Sequence, residues 1–493
     1  MAGRISTVLE DTEIIVYGRH GKHKLHELFQ NSESWKEFVC LIYHVYELPK
    51  MINADKVNVV AIHFGSTYSG YAFSTQNSKE EIYTYDWKAG IAQEPRTLTN
   101  ILFTPMRAFH SFGYDAEKMY AMLTEYGKQK DWFYFKRFKL TLLKNKNINE
   151  ETTIKDYTGK EIPAIEVVSS GIKYLKHHLF THFCERIPFC RGSIHWIFTV
   201  PAIWDESAKK LMRLAAEKAG IPGSQIELAS ETSSSGLFCM SKCSRTGLFT
   251  MYPGERCLFL ECGGGTVDIS VQEVCLDKTL TEVNRASDGP WASRTIDDAL
   301  IEYLLQVFGY EIIKAIPKNE VIELERNLEA FKREVSGEDK MYYLPIPYTL
   351  RRVAPQYMLL GAKLELYPNI VKGFYDKAIR KICDHIDKMF PLYHLQAINA
   401  IILVGAFSEN VLLQEAIQRK FPSKRVIVPP DPGLAVVKGA VKYCQIHCDN
   451  KVKFWMWIYK HGIARLVAII RNRSAYLLLL LIATVSSVSY FFR

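Results

Sequence analysis

The sequence predicts an α/β fold of two duplicated α/β lobes around a cleft, with a C-terminal hydrophobic helix appended. Three observations predict it. Two strand–turn–strand segments, "VNVVAIHFGSTYSGYAFS" at 57–74 and "CLFLECGGGTVDISVQEV" at 257–274, stand about 200 residues apart with glycine at each turn. Each is followed by further short apolar strands and then helices, as in a repeated unit whose sheet is covered on both faces. Finally, 474–492 runs nineteen positions without a charged side chain.

Taken in order, residues 1–54 form an N-terminal extension of no assigned role. The apolar positions Trp35, Phe38, Val39, Ile42, Val45 and Tyr46 have the period of an amphipathic helix. From Val57 the pattern turns strand-rich, with the first glycine hairpin and another strand near 81–85. Residues 115–143 read as a basic-aromatic helix and 164–185 as a long one. A buried strand at 193–202 precedes the helix "DESAKKLMRLAAEKAG", which opens on acids and stops at Gly220. After the second hairpin, helices fill roughly 294–336 and 370–390. The strand "AIILVGAFSEN" at 400–410 turns into the helix "VLLQEAIQRKF", and "RVIVPPDPGLAVVKGAVKYCQ" adds a strand, a Pro/Gly turn and a helix. The domain reading is therefore 1–54, a body at 55–448, and a basic-aromatic linker with a terminal helix at 449–493.

Bulk properties narrow the functional classes. With 493 residues, 48% of them hydrophobic, the chain can bury more than one core. Its net charge is +9, but six of the Lys/Arg fall between Lys451 and Arg473, where there is no Asp or Glu. The body is left with a small excess, which argues against a nucleic-acid partner. The 11 cysteines are scattered and the N-terminus lacks a secretory core, so reduced thiols in the cytosol are expected. Cys239/Cys243 and Cys444/Cys448, the latter with His447, have i, i+4 spacing. A zinc site is conceivable there, but packed thiols are the preferred reading.

"ECGGGTVD" at 261–268 is the sharpest motif. Three consecutive glycines remove side chains where backbone comes close to something, Thr266 adds a hydroxyl, and Glu261 and Asp268 flank the turn. In the first hairpin, Gly65, Ser66 and Thr67 could wrap an anion with amides and hydroxyls. With "TVPAIWDESAKK" at 199–210, "KREVSG" at 332–337 and "LVGAFS" at 403–408, these motifs come in an order that resembles the nucleotide-binding domain of the 70-kDa heat-shock protein family, within the actin-like ATPase fold. "YFKRFKL", "ILVGAFSEN" and "PDPGLAVVKGAV" are most similar to its divergent heat shock 70 kDa protein 12 branch. The resemblance covers roughly 57–445.

The resemblance implies ATP or ADP as ligand, with Mg²⁺. Gly65, Ser66 and Thr67 would form one phosphate loop, and Gly263, Gly264, Gly265 and Thr266 the other. Lys136 would reach the γ-phosphate; the alternative is a solvated helix lysine. Lys332, Arg333 and Ser336 would lie along the adenosine, with Gly405 opening a loop on its opposite side. Glu231 would help to hold the magnesium water shell, and Asp268 joins it as a metal-side carboxylate acting through water.

Departures from the family pattern point to slow hydrolysis. His63 stands where the family has an aspartate near magnesium-bound water, Glu261 where it has an aspartate beside the attacking water. Thr232 replaces a proline and Ala406 a glycine. A histidine near a triphosphate tends to keep its proton, so His63 is expected to replace part of the metal's charge and weaken the dependence on Mg²⁺. A core histidine in a vacated pocket is the alternative. Fewer than fifty residues follow Gln445, so no peptide-binding domain of the family's kind is expected. The segment 474–492, about 28 Å as a helix, follows Arg471 and Arg473 and reads as a tail anchor on the cytoplasmic face of a membrane. A soluble cytoplasmic protein with a packed terminal helix is the alternative. Two functions follow: a nucleotide-binding, weakly hydrolysing ATPase, or a non-enzymatic interaction module whose protein partners the sequence leaves open.

Overall fold

A computed structural model describes residues 15–18, 21–24 and 58–447, apart from 76–77, 90–91, 140–141, 143–147, 184–193, 278, 290–292, 355–357 and 393–397. The helix expected around Trp35–Tyr46, the span 474–492 and Cys448 lie outside the described residues. Among the described residues no helix is long and apolar enough to cross a membrane. The chain divides into two compact units, 58–445 and the two terminal segments together. In the terminal unit, Ile15–Gly18 and Gly21–Lys24 pair as an antiparallel hairpin.

The 58–445 unit is built on two sheets of the same topology. In the first, β1 (Asn58–Phe64), β2 (Tyr68–Thr75) and β3 (Ser78–Thr84) form an antiparallel meander. β4 (Ile194–Val200) then pairs parallel to β1, and β5 (Ile226–Ser230) parallel to β4. The second sheet repeats the plan: β6 (Arg256–Cys262), β7 (Val267–Val274) and β8 (Leu280–Gly289) form the meander. β9 (Ile398–Val404) lies parallel to β6, and β10 (Arg425–Ile427) parallel to β9. The orders 5-4-1-2-3 and 10-9-6-7-8 are one arrangement used twice, which is the duplication the two glycine hairpins predict. Continuous apolar runs in β1, β6 and β9 are buried throughout their central positions, as strands covered on both faces must be.

Helices α1 (Gly113–Glu125), α2 (Ala164–Phe183) and α3 (Glu206–Lys218) belong to the first lobe. Asp205 caps α3 by accepting from the Ala208 N–H, and Gly220, at φ +79°, stands just past its end. The expected helix over 115–143 is instead α1 followed by the strand Phe133–Lys136. Phe133, Tyr134 and Phe135 are buried there, a use of aromatic residues that suits a pleated sheet better than a helix.

In the second lobe, α5 (Arg294–Phe308), α6 (Lys318–Glu334), α7 (Pro368–Leu392) and α8 (Val411–Lys420) pack on one face of the sheet. Its other face is covered by α4 (Glu231–Arg245), whose Phe238, Cys239 and Cys243 join Phe259, Ala400 and Ile402. Because α4 begins at the end of β5, it carries the chain from one sheet to the other and holds Glu231 between them. A last helix, α9 (435–447), lies against α4. A Cβ on Gly439 would come within 1.8 Å of the Ser234 carbonyl, so glycine is what lets the two helices touch.

Candidate functional site

Both glycine turns close the same end of their sheets and meet. Gly65 is demanded by close approach: a Cβ there would lie 2.3 Å from the Tyr68 carbonyl and 2.6 Å from His63 Nε2. The second turn is closed by the Gly263 N–H donating to the Thr266 carbonyl at 3.0 Å. A Cβ on Gly264 would sit 2.4 Å from Thr67 Oγ1 of the opposite turn. Between them is a cavity lined by His63, Gly65, Ser66 and Thr67 on one side and Glu261, Gly263, Gly264, Gly265, Thr266 and Asp268 on the other. Glu231, Lys139, Arg96, Gly405 and Ala406 are also among its lining. Gly405 has φ +86°, and a Cβ there would meet the Cys262 carbonyl at 2.3 Å.

The floor of the cavity is charged. Lys139 donates to Glu231 at 2.9 Å, and its ammonium lies 5.2 Å from the Trp204 ring centre. Both members of this pair are buried, Lys139 at 2% exposure. His63 Nδ1 is 2.8 Å from Thr199 Oγ1 and 3.8 Å from Glu231. Burial lowers the His63 pKa to about 4; Glu231 pulls it up, while Lys139 and Arg96 press it down. In the ligand-free protein the imidazole is neutral at pH 7. The expectation of a charged His63 concerns the site with a triphosphate beside it; without one, desolvation outweighs its one carboxylate neighbour.

Glu261 is shifted the other way. Burial, reinforced by Glu231 and Asp268 and opposed by Lys139, pushes its carboxyl well above the ordinary range. Its Oε2 is buried without a hydrogen-bond partner. Glu231 and Asp268 are near enough to act on this orphaned oxygen, which is a place for an ordered water.

The predicted residues divide. His63, Gly65, Ser66, Thr67, Glu231, Glu261, Gly263, Gly264, Gly265, Thr266, Asp268 and Gly405 all line the cavity. Lys136 does not. Its ammonium donates to both oxygens of Glu325 at 2.8 and 2.7 Å, in an adjoining cavity of about 690 Å³ between α1 and α6 that shares Thr67 and Tyr68 with the first and is also lined by Arg333. Lys139, three residues on, takes the place beside the turns. Lys332 is buried against Ser293 at 2.9 Å, Asp297 at 2.6 Å and Glu329 at 2.7 Å. Arg333 donates to the Tyr68 hydroxyl at 2.8 Å and pairs with Glu94. Ser336 lies just beyond α6 and, like Lys332 and Arg333, is not among the residues lining the turn cavity.

Sequence reasoning missed Lys139, Thr199, Tyr68 and Arg96. Arg96 lies 5.0 Å from the Tyr68 ring centre, and a Cβ on Gly433 would come within 2.9 Å of its guanidinium. Lys139 was signalled by the same "KRFK" run as Lys136; the other three carried no local mark. The cavity between the turns is small, about 70 Å³.

Duplicated sheets with one five-strand order, whose glycine turns meet over buried carboxylates and a lysine, define a two-lobed α/β protein with its site at the lobe junction. The Hsp70 protein family matches residues 133–456. This chain belongs to the Hsp70 family. It is similar to heat shock 70 kDa protein 12B of Homo sapiens, 29% identical over 78% of this chain and 68% of that protein. It is also similar to heat shock 70 kDa protein 12A of Mus musculus, at 27%, and of Homo sapiens, at 26%, each over 78% of this chain and 69% of the relative. The first glycine turn precedes the matched interval, so its equivalence to the second rests on the repeated sheet.

Proposed function

We propose that the chain binds ATP or ADP with Mg²⁺ between the two glycine turns and hydrolyses ATP slowly. The observation that carries this reading is the meeting of Gly264 with Thr67 above Lys139 and three buried carboxylates. Gly65 to Thr67 and Gly263 to Thr266 would cradle the phosphates, with Lys139 as the cation beside them. Asp268 and Glu231 would hold Mg²⁺ through water. Lys332, Arg333, Ser336 and Gly405 are assigned to the adenosine side, which requires Arg333 to exchange Tyr68 and Glu94 for the base. Slow hydrolysis follows from His63 in place of a carboxylate and from the extra methylene of Glu261, since displacing a catalytic group by about 1 Å can cost ~100-fold.

The test is thermal unfolding of the full chain with Mg·ATP, Mg·ADP or buffer. A ligand stabilises the state it binds, so both nucleotides should raise Tm at millimolar concentration. A second reading, an interaction module whose cleft takes no nucleotide, is favoured by one observation: the cavity is narrow and Lys139, Lys332 and Arg333 are already paired. No shift with either nucleotide would establish that reading instead. Membrane attachment through 474–492, on the cytoplasmic side, is part of the proposal and rests on sequence alone. Deleting 474–493 should move the protein to the soluble fraction; an unchanged distribution would remove this part.

A further inference from the structure

We propose a second, metal-binding site, remote in sequence from the glycine turns and formed by His195, Glu227 and Cys444. Among the described residues these are the one group of three or more His, Cys, Asp or Glu whose ligand atoms all lie within 4.8 Å of one another. They come from three elements, β4, β5 and α9. In the parallel register of β4 and β5, Ile197 stands opposite Glu227. His195, two residues before Ile197, therefore projects from the same face as Glu227, and its Nε2 is 2.9 Å from Glu227 Oε2. Cys444 continues the buried stripe of α9 made by Val437, Ala440 and Val441.

The donor set selects the ion. One imidazole, one carboxylate and one thiolate suit a borderline metal such as Zn²⁺; Mg²⁺ and Ca²⁺ prefer oxygen alone. Ligands about 2.0–2.3 Å from a tetrahedral ion lie roughly 3.3–3.8 Å apart, so closing on a metal needs shifts of about 1 Å or less. Cys444 is fully buried while His195 and Glu227 are 27% and 22% exposed, which places the thiol at the bottom and leaves an entry from solvent. The three side chains fill three positions of a tetrahedron, and water takes the fourth. Binding forms an S–Zn bond and releases the Cys444 thiol proton to solvent. The ion would tie the last helix of the body to the first sheet. The plain alternative is a self-sufficient His–Glu hydrogen bond beside a cysteine that acts only as a small apolar residue.

The test uses the full chain, stripped with a chelator and titrated with Co²⁺, then with Zn²⁺ in competition. One Co²⁺ per chain should bind with a thiolate-to-cobalt charge-transfer band, and Zn²⁺ should displace it. Cys444→Ser should abolish the band and Cys275→Ser should keep it. His195→Gln and Glu227→Gln should each weaken binding by more than about 100-fold, beyond the usual loss from an outer-shell partner. These two variants keep the test decisive if Cys444→Ser does not fold. Absence of a band at millimolar Co²⁺, a band that survives Cys444→Ser, or undiminished affinity in both glutamine variants would overturn the proposal.

Discussion

Glu261→Gln should stabilise the ligand-free protein at neutral pH. Glu261 is buried beside Glu231 and Asp268, and burial first, then those charges, raise its pKa well above the ordinary 4.5. A group whose pKa is higher folded than unfolded favours the folded state below the unfolded value and loses that contribution as pH rises. Ionising the buried carboxyl at neutral pH therefore opposes folding, and the opposition grows as pH rises. Glutamine keeps the shape, does not titrate, and offers N–H donors to the neighbouring carboxylates. Allowing for its own desolvation, the variant should gain about 1–3 kcal/mol at pH 7, or a Tm rise on the order of 2–5 °C. The assay is thermal unfolding of both proteins without nucleotide from pH 5 to pH 7.5, with the gap widening as pH rises. A variant less stable at pH 7.5, or a gap that does not change with pH, would refute the reasoning.

Other outcomes follow from the same geometry. His63 should subtract stability as pH drops from 6.5 toward 4, against the gain from Glu261, because the unfolded imidazole takes up a proton that the half-buried folded one refuses. His63→Gln should remove about 2–3 kcal/mol of that loss, measured by urea unfolding at pH 7 and pH 4.5. Lys139→Met strands buried Glu231 and should cost about 3–5 kcal/mol. Lys136→Met, whose partner Glu325 is part-exposed, should cost below about 1 kcal/mol; equal losses in urea unfolding would contradict the placement of the two lysines. Gly264→Ala drives a methyl against Thr67 and should cost about 1–3 kcal/mol while abolishing any nucleotide-induced Tm shift.

The sheets were legible because their pattern is local. Apolar runs bounded by glycine mark β1, β6 and β9, and Gly65, Gly264 and Gly405 stand where a Cβ would collide. Lys139 was hidden by one backbone bend. Residues 115–143 have the composition of one helix, but the chain forms α1, then a strand, and at Arg137 turns into the left-handed region with φ +55°. That bend sends Lys136 toward Glu325 and Lys139 toward Glu231. A positive φ at arginine has no sequence signature comparable to glycine's. His195, Glu227 and Cys444 were hidden for another reason: more than 200 residues separate the cysteine from the pair, and only the packing of α9 joins them.

The charge balance of the cavity also fixes how nucleotide binding should depend on metal. Lys139 is matched by Glu231, and His63 is neutral. What remains facing the turns is Asp268, Glu261, whose carboxyl burial pushes up, and the guanidinium of Arg96. A polyphosphate entering alone would bring more negative charge beside Glu231, Glu261 and Asp268, in a dry site where repulsion is strong. Mg²⁺ relieves this twice, by screening the phosphates and by drawing the carboxylates toward its water shell. The sequence expectation of weakened Mg²⁺ dependence needs a charged imidazole, which the ligand-free protein does not hold. ATP with Mg²⁺ should therefore raise Tm, while ATP with EDTA should raise it far less. Equal shifts would mean that His63 gains a proton when the anion arrives, and that the phosphates, rather than burial, set its charge.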